Sequence, residues 1–484
     1  MKIRIIPDRR LSTIDPKIYG QFIEHFHRQI YGGVYDPGNP LSDEEGFRTD
    51  VIEAMRRIKV PIMRWPGGCF VSAYHWKDGV GKNRIPSFNK AWRVPEPNTF
   101  GTDEYISLCG KIGCEPYICT NAGTGSAEEM SDWVEYCNLP ADTRYAMERR
   151  DNGHREPYNV KYWSIGNENY GHWEIGAKGA SEWGRLVLES AKMMKRTDPY
   201  IELSAAALND MDWNTALLKS CGDRLDWISI HGYWDYHEGK NRLADYDTCM
   251  GYISDIERPV RQVRGLLEAL GLSHIRIAYD EWNLRAWYHP NIMDAYQGLT
   301  PEEYLTPRDD NDINAQYTMA DAVFSACFLN MCIRNSDIIG MAAFSPVVNT
   351  RGLIYMYEKG IVKRSTYYVF DLYVNELGDE FIDSWCDGET DSRLDTAATI
   401  SADGKRIAIA AVNTSKEESA TLTLSTVEKE YDRYKVITVN GDSCDSYNDI
   451  GNEGVTRTEG EWAPIKGDIS VETEPHSVNV IVIE

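Results

Sequence analysis

The sequence predicts an α/β fold, a (β/α)8 TIM barrel followed by a C-terminal antiparallel β-sandwich. Three observations carry this. Eight strand-length runs of apolar, β-branched or aromatic residues alternate with helical stripes between residues 18 and 349. Beyond about Gly378 the pattern changes to short period-2 runs, separated by clusters of Gly, Asn, Asp and Ser. The chain has 484 residues, which is room for one barrel and a second domain.

The first barrel strand is read at Ile18–His25, the second at Val60–Gly67 and the third at Glu115–Asn121. The fourth runs from Lys161 into Gly166, and the fifth is Ile201–Leu208. Leu225–Tyr233, Ile275–Glu281 and Ile338–Phe344 complete the set. Between them, Val51, Ile52, Met55 and Ile58 have helical spacing, as do Tyr105, Leu108, Cys109 and Ile112. Ser126 with Glu129 predicts a capping box opening a helix through Tyr136. Further stripes lie at Trp183–Met194, from Ala216, at Pro259–Leu270 before the C-cap residue Gly271, and at Tyr317–Cys327. The barrel is placed at 18–375 and the sandwich at 376–484, with residues 1–17 supplying a strand that joins the sandwich at its edge.

Composition excludes several classes. The formal net charge of −24 argues against nucleic acid or an anionic membrane as partner. No run of 18 apolar residues is present to span a bilayer. MKIRIIPDRR lacks the apolar region of a signal peptide, so a cytoplasmic protein is expected. The 11 cysteines are odd in number and scattered, which fits reduced core thiols.

Two of the strands end in a glutamate: Glu168 in Gly-Asn-Glu on the fourth and Glu281 in Asp-Glu-Trp-Asn on the seventh. The carboxyl ends of barrel strands form the catalytic face. A pair of carboxylates there suits glycoside hydrolysis, one as acid/base and the other as nucleophile. Position alone also fits two strand-end glutamates in ion pairs. The acid must hold a proton, so the Glu168 pKa is expected to be raised. His25 and His27 have an H-x-H spacing that would place both on one strand face. Two ligands are too few for a metal site, so neither metal nor other cofactor is expected.

The surrounding residues carry a resemblance. Arg64-Trp-Pro-Gly-Gly-Cys-Phe-Val-Ser-Ala-Tyr-His-Trp76, Tyr31-Gly-Gly-Val-Tyr35, Glu96-Pro-Asn-Thr-Phe-Gly-Thr102, Gly166-Asn-Glu168 and Asp280-Glu-Trp-Asn283 resemble glycoside hydrolase family 51. The likeness runs from about residue 18 to 372. Most members are retaining, exo-acting α-L-arabinofuranosidases. The resemblance implies that Glu168 is the acid/base and Glu281 the nucleophile. It implies sugar contacts from Glu24, Cys69 and Asn167, a leaving-group aromatic in Trp173, and Tyr233 orienting the nucleophile. Arg64 and His231 fall to supporting positions.

The expected substrate is an arabino- or arabinoxylo-oligosaccharide, and the resemblance implies a homo-oligomer, trimer or hexamer. Cys69 stands where many members have Asn, and Ser345-Pro-Val-Val-Asn349 replaces a Gln-bearing eighth-strand motif. The long segment after the seventh strand carries Trp287, Tyr288, Tyr296 and Tyr304 and could reshape the leaving-group side. Alternatives are an endo-β-glucanase or β-xylosidase on the same fold, and a non-catalytic sugar-binding protein.

Overall fold

Eight parallel strands wind into a barrel in this computed structural model, which describes residues 1–235, 243–286, 300 and 312–484. After an N-terminal strand β1 (Lys2–Thr13), the barrel strands are β2 (Gly20–Phe22), β3 (Ile62–Trp65), β4 (Glu115–Thr120), β5 (Tyr162–Ile165), β6 (Glu202–Ala205), β7 (Trp227–Asp235), β8 (Arg276–Arg285) and β9 (Ile339–Phe344). They pair in the order β6-β5-β4-β3-β2-β9-β8-β7. Closure between β6 and β7 comes from the bridge of Ala206 to Ser229 and from Asp226 N–H donating to Leu203 O at 2.9 Å. All eight expected strands are present.

The expected helices follow their strands. They are α1 (Thr49–Arg57), α2 (Thr102–Ile112), α3 (Ala127–Asn138), α4 (Ala180–Thr197), α5 (Met211–Cys221), α6 (Arg258–Leu270) and α7 (Met319–Arg334), and a helix the sequence reading did not include, α8 (Ser365–Glu376), follows the last strand. The stripe Val51, Ile52, Met55 and Ile58 is buried, as its spacing requires. Two details differ from the sequence reading. Helix α5 begins at Met211 rather than near Ala216, because the Asp210 carboxylate caps Trp213 N–H at 2.8 Å. At α3 the Ser126 hydroxyl accepts from Glu129 N–H, but the Glu129 side chain turns to His75 instead of completing the capping box.

Alternate residues of each strand fill the barrel in layers. At the amino ends, Ile62, Tyr117, Tyr162, Trp227, Ala278 and Met341 form an apolar plug. One step along, Arg64, Cys119, Ser164, Ser204, Ser229 and Asp280 form a polar layer. Its bonds include Tyr117 O–H to Asp280 at 2.7 Å and Ser229 O–H to Asp280 at 2.6 Å. The layer above it is the site described below.

Strands β10 (Glu380–Cys386), β11 (Leu394–Ile400), β12 (Ile407–Asn413), β13 (Ala420–Thr426), β14 (Arg433–Gly441), β15 (Val455–Glu459), β16 (Ile469–Thr473) and β17 (Val478–Ile483) build the mostly antiparallel C-terminal sheet. Alternation on β17 supplies two cores. Ile481 and Ile483 enter the sheet's own core, while Val478, Val480 and Val482 join the core shared with the barrel. The strand β1 lies inside this sheet, antiparallel to β10 and parallel to β13, not at its edge. It is longer than its weak apolar alternation indicated, because pairing with β10 resumes at Arg10, Ser12 and Thr13 beyond an irregularity after Ile6, whereas β13 pairs only Lys2–Ile5.

Candidate active site

Strand β5 ends at Ile165, and the chain then turns sharply. Gly166 has φ +71, and a Cβ there would lie 2.1 Å from Asn169 Oδ1. Glu168 itself has φ +45, an uncommon conformation for a residue with a side chain. This turn aims its carboxylate back across the barrel mouth. Glu168 Oε1 accepts from His231 Nδ1 at 2.8 Å, and Oε2 accepts from the Trp173 indole N–H at 3.0 Å.

Glu281 comes from β8 across the barrel. Its Oε1 accepts from Arg64 at 2.5 Å and its Oε2 accepts from Tyr233 O–H at 2.8 Å. Arg64 is fully buried, with a second arm on Asn167 Oδ1 at 2.8 Å and its Nε 3.5 Å from Asp280. Oxygens of Glu168 and Glu281 and a nitrogen of His231 all lie within 4.8 Å of one another. The expected pair is therefore brought together, with Arg64, Tyr233 and His231 around it.

His231 faces three carboxylates. Its Nδ1 is 2.8 Å from Glu168 and 3.6 Å from Glu281, and its Nε2 is 3.3 Å from Asp280. Burial opposes a charge on the imidazole, but Glu281, Asp280 and Glu168 outweigh it and raise its pKa to about 10. Burial alone would likewise raise Asp280, yet Arg64 and His231 hold it down at about 2. The Glu168 pKa is lowered rather than raised. Burial pushes it up, but the hydrogen bond and charge of His231 more than offset this. The raised value expected from the sequence is thus reversed by an imidazole contact between distant strands that the sequence does not show.

Glu24 lies buried just past β2, accepting from Phe70 N–H at 3.0 Å and from the Trp92 indole at 2.9 Å. Burial pushes its carboxyl up to about 8. Asn167 is committed within the protein, its Oδ1 to Arg64 and its Nδ2 to Glu174 at 3.0 Å. Glu174 was not anticipated. It is buried, accepts from Ser72 O–H at 2.8 Å, and is raised to about 7 by burial and by the charge of Glu168. It follows a loop with no periodicity, so only its closeness in sequence to Glu168 hinted at it. Cys69, Trp173 and Glu174 line a 160 Å³ cavity with Lys90, Ala91, Arg93 and Ile175.

Three expectations need comment. His25 and His27 do not share a strand face, because β2 ends at Phe22. Both His25 nitrogens have protein partners, Nδ1 with Glu96 at 2.9 Å and Nε2 with the Trp65 indole at 3.1 Å. Ser345, in the departed eighth-strand motif, meets Tyr233 Oη at 2.9 Å. Trp287, Tyr288, Tyr296 and Tyr304 lie outside the described residues. Among the described residues no helix is long and apolar enough to cross a membrane.

Comparison with known proteins agrees with this geometry. Residues 54–250 match the model of the α-L-arabinofuranosidase 1 domain, and residues 280–477 match that of the α-L-arabinofuranosidase C-terminal domain. A probable α-L-arabinofuranosidase C of Aspergillus clavatus is 35% identical, covering 95% of this chain and 93% of the relative. An intracellular exo-α-(1→5)-L-arabinofuranosidase of Acetivibrio thermocellus is 36% identical over 72% of this chain and 70% of its own. The arabinose complex of the Thermotoga maritima α-L-arabinofuranosidase superposes with a TM-score of 0.90 at 36% identity, covering 100% of this chain and 99% of that one. The family 51 α-L-arabinofuranosidase of Thermotoga petrophila has the same score and identity, with 100% of each chain covered. The chain belongs to the α-L-arabinofuranosidases of glycoside hydrolase family 51.

Proposed function

We propose that this α-L-arabinofuranosidase is exo-acting and retaining, and removes terminal arabinofuranose from arabino- or arabinoxylo-oligosaccharides. The carrying observation is the approach of Glu168 and Glu281, with carboxylate oxygens within 4.8 Å. Retention uses carboxyl groups about 5 to 5.5 Å apart, whereas inversion needs roughly 6.5 to 9.5 Å to admit a water. Glu281 is the nucleophile. Arg64 and Tyr233 hold its two oxygens and aim it. Glu168 is the acid and then the base, on the side of the site that carries Trp173.

Substrate roles follow from position. Glu24 binds sugar hydroxyls, and its raised pKa lets it donate as well as accept. Cys69 and Trp173 contact the sugar and the leaving group from the cavity beside Glu168. Asn167 meets the 2-hydroxyl from a position that Arg64 and Glu174 fix. The Acetivibrio thermocellus relative, named as an intracellular exo-enzyme for α-(1→5) links, supports the exo reading and cytoplasmic residence. The family resemblance supports a trimer or hexamer.

The test is turnover of a short arabino-oligosaccharide followed by proton NMR. Monomeric arabinose appearing first in the α configuration is expected. Initial β-arabinose would exclude double displacement. Faster turnover of an aryl β-xyloside or a β-glucan would favour the alternative substrates.

A further inference from the structure

Glu168, the acid assigned above, shares a hydrogen bond with a buried imidazole that can hold its proton. The His231 side chain is 4% exposed and hydrogen-bonds Glu168 Oε1 through Nδ1. Asp280 lies 3.3 Å from its Nε2, and Glu281 lies 3.6 Å from Nδ1. Three carboxylates thus face one imidazole, and among the described residues Arg64 is the one guanidinium bonded to that group. With no proton on either the imidazole or a carboxyl the cluster would carry two net negative charges, which is unfavourable at low local dielectric, so one proton belongs to this group.

We propose that His231 stores the catalytic proton: it rests on the imidazole in the free enzyme and crosses the Nδ1–Oε1 hydrogen bond to Glu168 during each turnover. This rests on the assignment of Glu168 as acid/base made above. In the crossing, the Nδ1–H bond breaks and an Oε1–H bond forms, so imidazolium and carboxylate become imidazole and carboxylic acid with no change in net charge.

Glu168 then gives that proton to the glycosidic oxygen, and the leaving sugar departs as a neutral alcohol. Glu281 closes on the anomeric carbon as an ester and loses its charge. The Glu281 charge, 3.6 Å from Nδ1, helps hold the imidazole protonated, so its neutralisation lowers the imidazole's affinity for a proton while the ester exists. Glu168 is thereby left as a free carboxylate to take a proton from water. The water oxygen breaks the ester, the Glu281 carboxylate returns, and the proton moves back to His231. Asp280 is the fixed element, held ionised by Arg64 and by hydroxyl donors from Tyr117 and Ser229.

The groups facing the imidazole are Glu168 beyond β5, Asp280 and Glu281 on β8, and Tyr233 on its own strand; Arg64, Glu174 and Glu24 stand behind them. The experiment compares kcat/KM against pH for wild type, His231→Gln and Glu168→Ala, on an arabinoside with a poor leaving group and one with an activated aryl group. Glutamine can still donate to Glu168 but cannot carry the proton. For the poor leaving group, the alkaline limb of His231→Gln is expected to move at least about two pH units to the acid side, since that limb reports the free enzyme's acid. Nitrogen NMR of wild type at pH 8 is expected to show His231 protonated on both nitrogens, and this decides the matter if the variant does not fold. A neutral imidazole at pH 8, or coincident alkaline limbs, overturns the proposal. Equal slowing of both substrates by Glu168→Ala would instead overturn the acid assignment itself.

Discussion

Asp280 and Glu281 are neighbours in one strand, yet both carboxylates point into the barrel. Along regular β structure they would face opposite sides. Opposite β7, Ala278 pairs with Ser229 and Glu281 with His231, so three steps on β8 match two on β7. This bulge rotates the strand between Tyr279 and Trp282, which both face outward onto Phe328. One extra residue thus places a structural carboxylate beneath the imidazole and a reactive one beside it.

Replacing the reactive carboxylate gives the first prediction. Glu281→Ala is expected to cut turnover of all arabinosides below about a hundredth of wild type, because no other group can form the ester. Added azide is not expected to rescue it with retained configuration. A variant faster than that limit would mean the nucleophile is misassigned.

Glu168→Ala is expected to act selectively. Substrates with poor leaving groups should slow by at least about a hundredfold more than activated aryl arabinosides, which leave without protonation. The measurement is a plot of kcat/KM against leaving-group pKa, expected to be steeper in the variant.

Glu24 predicts a pH dependence of stability. Its folded pKa is about 8 against an ordinary value of 4.5. A carboxyl raised on folding stabilises the native state at low pH, and that contribution is lost as pH rises from 4.5 through 8. Glu24→Gln should flatten this loss, gaining on the order of a few kcal/mol relative to wild type at pH 8 and little at pH 4. Its activity should nevertheless fall, with about 2 kcal/mol lost from transition-state binding. Denaturant melts at the two pH values, with kcat/KM, check both parts.

Gly67 is the neighbour that lets Glu24 occupy its pocket. It has φ +149, and a Cβ there would lie 2.4 Å from Glu24 Cγ. Gly67→Ala is expected to cost about 2 kcal/mol or more of stability and to raise KM by displacing Glu24. Gly113 has φ +88 but open space around it. Gly113→Ala should cost about 1 kcal/mol with KM unchanged. Equal effects at both positions would mean that backbone strain alone, and not the Glu24 contact, sets the cost.

Much of this was legible along the chain because it is local. The eight strand runs, the stripe on α1 and the change to period-2 runs after the barrel depend on residues a few positions apart. So do the two strand-end glutamates, and a parallel barrel brings its strand ends together whatever the loops do. What only the tertiary structure decided depends on register between distant strands. Alternation does not reveal the β8 bulge, so Asp280 read as a flanking residue rather than as the partner of Arg64 and His231. The three carboxylates come from β5 and β8 and the imidazole they surround from β7, and that convergence reverses the expected shift of Glu168. Glu174 belongs to a loop whose path is set by its bonds to Ser72 and Asn167. The strand β1 gains its inner place from pairing with residues nearly four hundred positions away, a long-range choice that no short window of sequence encodes.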